Sequence, residues 1–568
     1  MTTRSASKMR RILDCVNKSS KLMARRNSVW TAERTLTTPY DKIEIPNCTV
    51  YDYVWENLEK WPEKTLSVCS ATGRGYTYEQ AFNLSNAFAA NLRLKLKIRD
   101  GDTVSVMLPN IPDFPLIAIG ILGAGGVIST INPIYTPHEV QRQLIMSKSK
   151  AIVTMPESLK VVQEALKLAK LNIPIIIVKT NGDATPENTF CFNELSEDVH
   201  VDKSCLKEVR RSPTDTCFLP YSSGTTGLPK GVELSHRNLV ANMQQMNVSQ
   251  IRNHEDTTET HQDAVLGVLP FFHIYGASVI MFHKMSIGAK IVTLTKFNPD
   301  NYFNTLEKYK ISILYAAPPM ILLMGAHPAS TSETLQHLRT VINGAAPLGS
   351  QDVERFLNKL NRKADVRQAY GLTETSPLAI MPPVGIENYQ TIGYPVSNTE
   401  AKIVDDNLRP VGPNQAGELL LRGPQVMKGY RDNPKANSEV FTVDGYFRTG
   451  DVAMADEKGL ITITDRLKEL IKVKGYQVPP AELEAVLREH PAILDAAVVG
   501  IPHEVKGEVP KAFVVLKEGQ KVEAKEIKNF VKEKVAPFKR VEEIEFLDKI
   551  PKSSAGKILR KDLKATNT

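Results

Sequence analysis

The chain has 568 residues, 42% of them hydrophobic and 24% charged, with a formal net charge of +8. That length exceeds what one hydrophobic core accommodates and predicts at least two domains. Residues 1–37 hold nine basic and two acidic side chains, so they carry +7 of the +8, and the near-neutral remainder excludes a basic footprint for DNA or RNA. Six cysteines, at 15, 48, 69, 191, 205 and 217, form no C-x-x-C pair and no Cys/His zinc spacing, and read as reduced thiols.

In chain order, the first segment is acid-poor and rich in Arg, Lys, Ser and Thr. Met9, Ile12, Leu13, Val16 and Met23 fall on or near one helical face. Two readings stand: a mitochondrial presequence, which is preferred, or a basic tail on a cytoplasmic enzyme. From about Pro39, helical and strand-like stretches alternate. Tyr78–Leu94 reads as a helix, and Thr103–Met107 and Ala151–Val153 as strands. The apolar run Pro115–Ile131 falls short of the ~20 residues a membrane span needs, so it reads as a buried helix leading into a buried strand, and no transmembrane segment is expected. Such alternation implies parallel, helix-flanked sheets. Glu418–Arg422 and Leu460–Thr464 are later strands, and the texture then changes. A helix over Ala481–Glu489 opens on Pro479-Pro480, Val498-Val499 and Ala512–Leu516 follow as strands, and Glu523–Val535 is a helix. The expected class is α/β: a large domain over 38–464 with a β-rich subdomain, a junction at 465–468, and a small α+β domain over 469–568.

Chemistry concentrates in Tyr221-Ser-Ser-Gly-Thr-Thr-Gly-Leu-Pro-Lys-Gly231. Gly224 and Gly227 let backbone N–H groups close on an anion, Ser222, Ser223, Thr225 and Thr226 donate hydrogen bonds, and Lys230 supplies a point charge. This is a polyphosphate grip. It is not a Walker loop, because Gly231 follows the lysine. Tyr370-Gly371-Leu372-Thr373-Glu374 sets a hydroxyl beside a carboxylate, which suits a phosphate oxygen and its Mg2+, a hard cation that prefers oxygen ligands.

These segments, in this order, resemble the adenylate-forming superfamily of acyl-CoA synthetases, peptide-synthetase adenylation domains and luciferases. The resemblance covers about residues 38–564 and implies ATP, Mg2+ and coenzyme A as the reaction partners of a small-molecule carboxylate. It implies that Asn343-Gly344-Ala345-Ala346-Pro347 lies along the adenine, that Tyr370, Gly371 and Thr373 close over the α-phosphate, and that Glu374 faces the metal. Asp451, in Phe447-Arg448-Thr449-Gly450-Asp451, matches the ribose ligand, and Arg466 a second nucleotide contact. Pro270-Phe271-Phe272-His273-Ile274-Tyr275-Gly276 resembles the acyl-site motif, with His273 orienting the carboxylate and Tyr275 walling the pocket. Lys557 matches the adenylation lysine. Lys468 matches a hinge about which a mobile C-terminal domain turns for the second half-reaction, bringing Lys472 and Gln477 to the nucleotide and Lys474 and Gly475 to the coenzyme A side. Val473 stands where many relatives carry an aromatic residue.

The closest branch in this resemblance is that of 4-coumarate–CoA ligases, medium-to-long-chain acyl-CoA synthetases and luciferases. Ala369, often glycine in relatives, would narrow the acyl pocket that Tyr275 and Leu378 also line, an effect of ~1–3 kcal/mol on selectivity. An aliphatic medium-to-long-chain acid is the first expectation and an aromatic propenoic acid the second. Readings of another class are a luciferase-like oxygenase and a non-catalytic acyl binder, which would need neither Lys557 nor Lys472. Peripheral membrane contact stays open, as does the choice between monomer and homo-oligomer.

Overall fold

A computed structural model describes residues 29–179, 184–222, 229–362, 364–466, 469–473, 476–503, 506–535, 537–553 and 556–565. The expected presequence helix falls within residues 1–28, outside the described residues.

Two helix-flanked sheets carry most of the large domain. The first joins Thr103–Met107, Val127–Thr130, Ser149–Thr154, Ile175–Ile177 and Phe190–Cys191 in parallel, and Thr216–Phe218 extends it into an antiparallel edge at Lys230–Ser235. The second runs Asp365–Gln368, Thr340–Asn343, Ile313–Ala316, Ala264–Gly267, Lys290–Thr293 and Thr65–Cys69, all parallel, and ends on antiparallel Gly75–Thr77. Runs such as Ile175–Ile177 and Ile313-Leu314 are buried throughout, as parallel strands covered on both faces must be.

Local chemistry explains the element ends. The helix Tyr78–Leu94 begins where Thr77 accepts from the Gln80 N–H and the Gln80 side chain caps Thr77 in return. It packs on Asp113–Gly123, a helix buried along its whole length that leads into the buried strand Val127–Thr130. The apolar run of the sequence is thus core, and no helix among the described residues is long and apolar enough to cross a membrane.

An antiparallel sheet of Thr35–Leu36, Glu400–Val404, Gly417–Arg422, Phe447–Ala455 and Ile461–Arg466 forms the β-rich part. Its last strand still pairs Asp465 and Arg466 with Val452 and Asp451. A separate sheet of Tyr476–Val478, Ile471–Val473, Gly507–Leu516, Ile493–His503 and Glu543–Phe546 follows. The helices Pro480–Arg488 and Ala524–Lys534 close over it, burying Leu483, Leu487, Ile527 and Val531. The five described cysteines are all unpaired.

What positions the site is the carboxyl edge of the second sheet. Four neighbouring strands (Asp365–Gln368, Thr340–Asn343, Ile313–Ala316 and Ala264–Gly267) end side by side, and the loops leaving them carry Tyr370, Gly344–Ala346, Ala317–Pro319 and Pro270–Tyr275. Open parallel sheets place ligands at this edge.

Candidate active site

The strand Ala264–Gly267 leaves its sheet through a loop pinned by Asn110, a buried residue with no motif around it. Its Nδ2 donates to the carbonyls of Gly267 and Leu269, and its Oδ1 accepts from the Phe271 N–H, all at 2.8 Å. The loop delivers His273 and then enters a π-helix, Tyr275–Phe282, a rare wide helix that is frequent at functional sites. Gly276 is required there, since a Cβ would stand 2.2 Å from the Pro270 carbonyl oxygen.

His273 Nδ1 accepts from the Tyr275 N–H at 3.3 Å. Burial, with the Lys557 charge adding to it, lowers its pKa to about 4. The ring is therefore neutral near pH 7 with its proton on Nε2, a donor for an anionic oxygen. Tyr275 Oη donates to the Ile342 carbonyl at 3.1 Å, and its ring meets Tyr315 edge-on at 6.1 Å.

These groups border a cavity of about 70 Å³ whose lining includes His273, Ile274, Tyr275, Val279, Tyr315, Gly344, Ala345, Ala369, Tyr370, Gly371, Thr373, Leu378 and Lys557, with Met246, Ile251, Asn253 and Met381 also in its wall. Lys557 comes from the C-terminal domain. The neighbouring Gly556, at φ +80, lies against Ala317, where a Cβ would be 3.0 Å from the Ala317 methyl. The C-terminal domain is thus docked with its lysine at the cavity.

Gly344 and Ala345 line the cavity. Ala346 turns its carbonyl to the Asn343 amide at 3.1 Å. Tyr370 Oη donates to Asp451 Oδ2 at 2.6 Å, which ties the pentad to the Gly450-Asp451 corner of the antiparallel sheet. Ser222 and Lys230 face each other across the base of a hairpin. Ser222 Oγ and Tyr430 Oη both donate to Glu374 Oε1 at 2.9 Å, and the Lys230 ammonium lies 4.9 Å from the centre of the Tyr430 ring. Ser222, Lys230 and Glu374 therefore form one cluster.

Ser223, Gly224, Thr225, Thr226 and Gly227, which follow Ser222 in the sequence, lie outside the described residues, as do Lys468, Lys474 and Gly475. Lys472 pairs with Gln477, and Arg466 with Asp451, by backbone register; the side chains of Lys472, Gln477 and Arg466 lie outside the description.

The residues fit a divalent cation. Glu374 is buried, one carboxylate oxygen takes both hydroxyls, and the other has no hydrogen-bond partner among the described residues. No group of three or more His, Cys, Asp or Glu among the described residues could hold a metal by itself. Glu374 would then share a hard ion with phosphate oxygens, as Mg2+ favours.

The AMP-binding enzyme family matches residues 54–431, and the AMP-binding enzyme C-terminal domain matches residues 482–557. The chain belongs to the AMP-binding enzyme family. Among its relatives, 4-coumarate–CoA ligase 3 of Oryza sativa subsp. japonica is 38% identical over 533 residues, covering 92% of this chain and 93% of that one. 4-Coumarate–CoA ligase 1 of Arabidopsis thaliana is 36% identical over 558 residues, covering 96% and 98%. Among solved structures, ATP-bound MatB from Rhodopseudomonas palustris superposes with a TM-score of 0.81 at 25% identity, covering 92% and 99%. The anthranilate CoA ligase AuaEII in complex with anthranoyl-AMP gives 0.82 at 25% identity, covering 92% and 98%. The chain is an AMP-forming CoA ligase of the adenylate-forming superfamily, with ATP, Mg2+ and coenzyme A as its reaction partners and a small-molecule carboxylate as substrate.

Asn110, Asn253, Tyr315, Met246 and Met381 carry no motif. Tyr315 alone had a signal available, an aromatic residue at the carboxyl end of a buried parallel strand.

Proposed function

We propose that this ligase activates an aryl acid of the arylpropenoate class. The observation that carries this is the pair of tyrosines, Tyr275 and Tyr315, that wall the cavity edge to face, with Gly344, Ala345, Ala369 and Gly371 among the small residues lining it. A flat ring gains from such walls through offset and edge contacts that a flexible chain does not make. The 4-coumarate–CoA ligase relatives support the same reading. The apolar lining of Ile251, Val279, Leu378 and Met381, taken alone, serves an aliphatic tail equally well. It is the aromatic wall and the relatives that move the reading from a fatty acid to an aryl acid.

In this proposal the carboxylate sits between the Nε2–H of His273 and the ammonium of Lys557. Lys557 offsets the charge that develops as a carboxylate oxygen attacks the α-phosphorus and pyrophosphate leaves, a step governed by positioning and electrostatics. The Ser222–Lys230 hairpin, including Ser223–Gly227, holds the β- and γ-phosphates, and Thr373 the α-phosphate. Asp451, fixed by Tyr370, accepts from the ribose. Glu374 would hold Mg2+, which supplies charge neutralisation on the phosphates. For thioester formation the C-terminal domain turns about Lys468, withdraws Lys557 and presents Lys472, Lys474, Gly475 and Gln477, a gating step able to limit turnover.

The test is acid-dependent exchange of pyrophosphate into ATP across matched panels of arylpropenoates and alkanoates. The proposal expects exchange with the aryl acids, at least tenfold faster than with any alkanoate. Exchange driven only by alkanoates overturns it.

A further inference from the structure

Behind the acyl cavity lies a buried polar chain that neither the nucleotide nor the carboxylate uses. Lys284, on the short helix that continues the π-helix, has no exposed surface, and its ammonium lies 5.4 Å from the centre of the Tyr315 ring. It has no ion pair among the described residues. The one side-chain hydrogen bond it makes among the described residues runs from Nζ to Asn253 Oδ1 at 3.1 Å. Burial lowers the Lys284 pKa to about 7; in its protonated form the side chain can only donate, and this bond then fixes which way the Asn253 amide faces. Asn253 Nδ2 must then point the other way, and it donates to Tyr315 Oη at 2.8 Å.

Tyr315 is 2% exposed, and its hydroxyl, already accepting from Asn253, keeps its own proton to donate. No acceptor for that proton stands among the described residues, while Asn253 and Tyr315 both line the acyl cavity. Ala317, two residues further along, packs on Gly556 beside Lys557. Tyr315 is thus set back from the carboxylate end by two residues of extended backbone, about 7 Å. A buried hydroxyl proton without a partner carries a cost that a ligand acceptor would remove.

Resting on the aryl-acid reading, we infer that Tyr315 donates a hydrogen bond to an oxygen on the ring of the substrate, distal to its carboxylate, and that Lys284 is the positioning residue that sets this polarity through Asn253. The substrates it selects are arylpropenoates bearing a ring hydroxyl or alkoxy oxygen, in preference to bare or alkyl-substituted rings of the same shape.

The experiment compares kcat/KM for cinnamates carrying a methoxy or an ethyl group at ring position 3 or 4, which differ in the acceptor and little in shape. The wild-type enzyme is expected to favour methoxy over ethyl by about tenfold at one position, the effect of one neutral hydrogen bond. In Tyr315→Phe, which removes only the hydroxyl, the ratio falls toward one. In Lys284→Met the ratio falls as well, because the amide is free to turn its oxygen to Tyr315. A purely structural lysine would depress both substrates alike and leave the ratio standing, which overturns its positioning role. A wild-type ratio near one at both positions, or one that survives Tyr315→Phe, overturns the proposal while the aryl-acid reading stands. Turnover of alkanoates with none of any cinnamate overturns both.

Discussion

Replacing Gly344 by alanine tests how tightly the acyl wall is set. A Cβ there would stand 2.8–2.9 Å from two ring carbons and the hydroxyl oxygen of Tyr275. Carbon atoms pack at about 3.5–4.0 Å, so the ring must withdraw by roughly 0.7 Å. It has little room: its edge meets Tyr315, and Oη is already 3.1 Å from the Ile342 carbonyl. Withdrawal of that size takes the hydroxyl beyond hydrogen-bonding range. Overpacking costs about 1–3 kcal/mol and the lost bond about 1 kcal/mol, so Gly344→Ala should destabilise the large domain by about 2–4 kcal/mol. Urea denaturation of Gly344→Ala, Tyr275→Ala and the double variant measures the coupling. With the ring gone, the alanine should cost less than about 1 kcal/mol, and KM for the acid should rise in Gly344→Ala more than KM for ATP. An alanine variant as stable as wild type, or one with the same cost in both backgrounds, refutes the reasoning.

Three other perturbations have expected outcomes. His236 is buried and accepts the Val50 N–H on Nδ1 at 3.0 Å; burial, with Arg211 adding to it, lowers its pKa from 6.5 to about 3. The unfolded chain therefore binds a proton below pH 6.5 that the folded chain refuses, so this stability is complete above pH 6.5 and falls with pH toward 3, by up to about 1.4 kcal/mol per pH unit. Urea midpoints between pH 6.5 and 5 should fall less steeply in His236→Asn. Glu374→Gln keeps an acceptor for Ser222 and Tyr430 but loses the charge; the Mg2+ concentration for half-maximal activity should rise about tenfold or more, with the melting temperature near wild type, and an unaltered Mg2+ dependence would remove Glu374 from the metal site. Arg488 of the C-terminal domain reaches Asp352 of the large domain at 3.6 Å, with both side chains largely buried. Arg488→Met leaves Asp352, whose pKa burial already raises, to Arg355 of its own helix, and should weaken the docked arrangement by about 1 kcal/mol, slowing pyrophosphate exchange more than thioester formation from supplied acyl-adenylate.

Much of the frame was legible in the sequence because its signals are local. Thr77 followed by Gln80 caps the helix Tyr78–Leu94 within four residues, and alternation of strands with helices implied the parallel sheets. The Tyr370–Glu374 pentad and His273 could be picked out for the same reason, since each motif is contiguous. The acyl pocket could not. Its lining comes from six separate stretches of chain, and Asn253, Lys284 and Tyr315 meet only after the π-helix has turned Lys284 inward. The apolar residues around them, such as Ile251 and Met381, read the same whether a ring or an alkyl tail lies between them, and for that reason the sequence leaned to a fatty acid. The wall of two tyrosines becomes visible only when the strand Ile313–Ala316 is set beside the loop from Pro270.

In the proposed reaction this chain joins an aryl acid to coenzyme A through its adenylate. Mass-spectrometric detection of the thioester, formed from ATP, Mg2+, coenzyme A and an equimolar mixture of 4-hydroxycinnamate and octanoate, tests it most directly. The hydroxycinnamoyl thioester is expected in excess, with one AMP formed per thioester. Octanoyl thioester as the dominant product would contradict it.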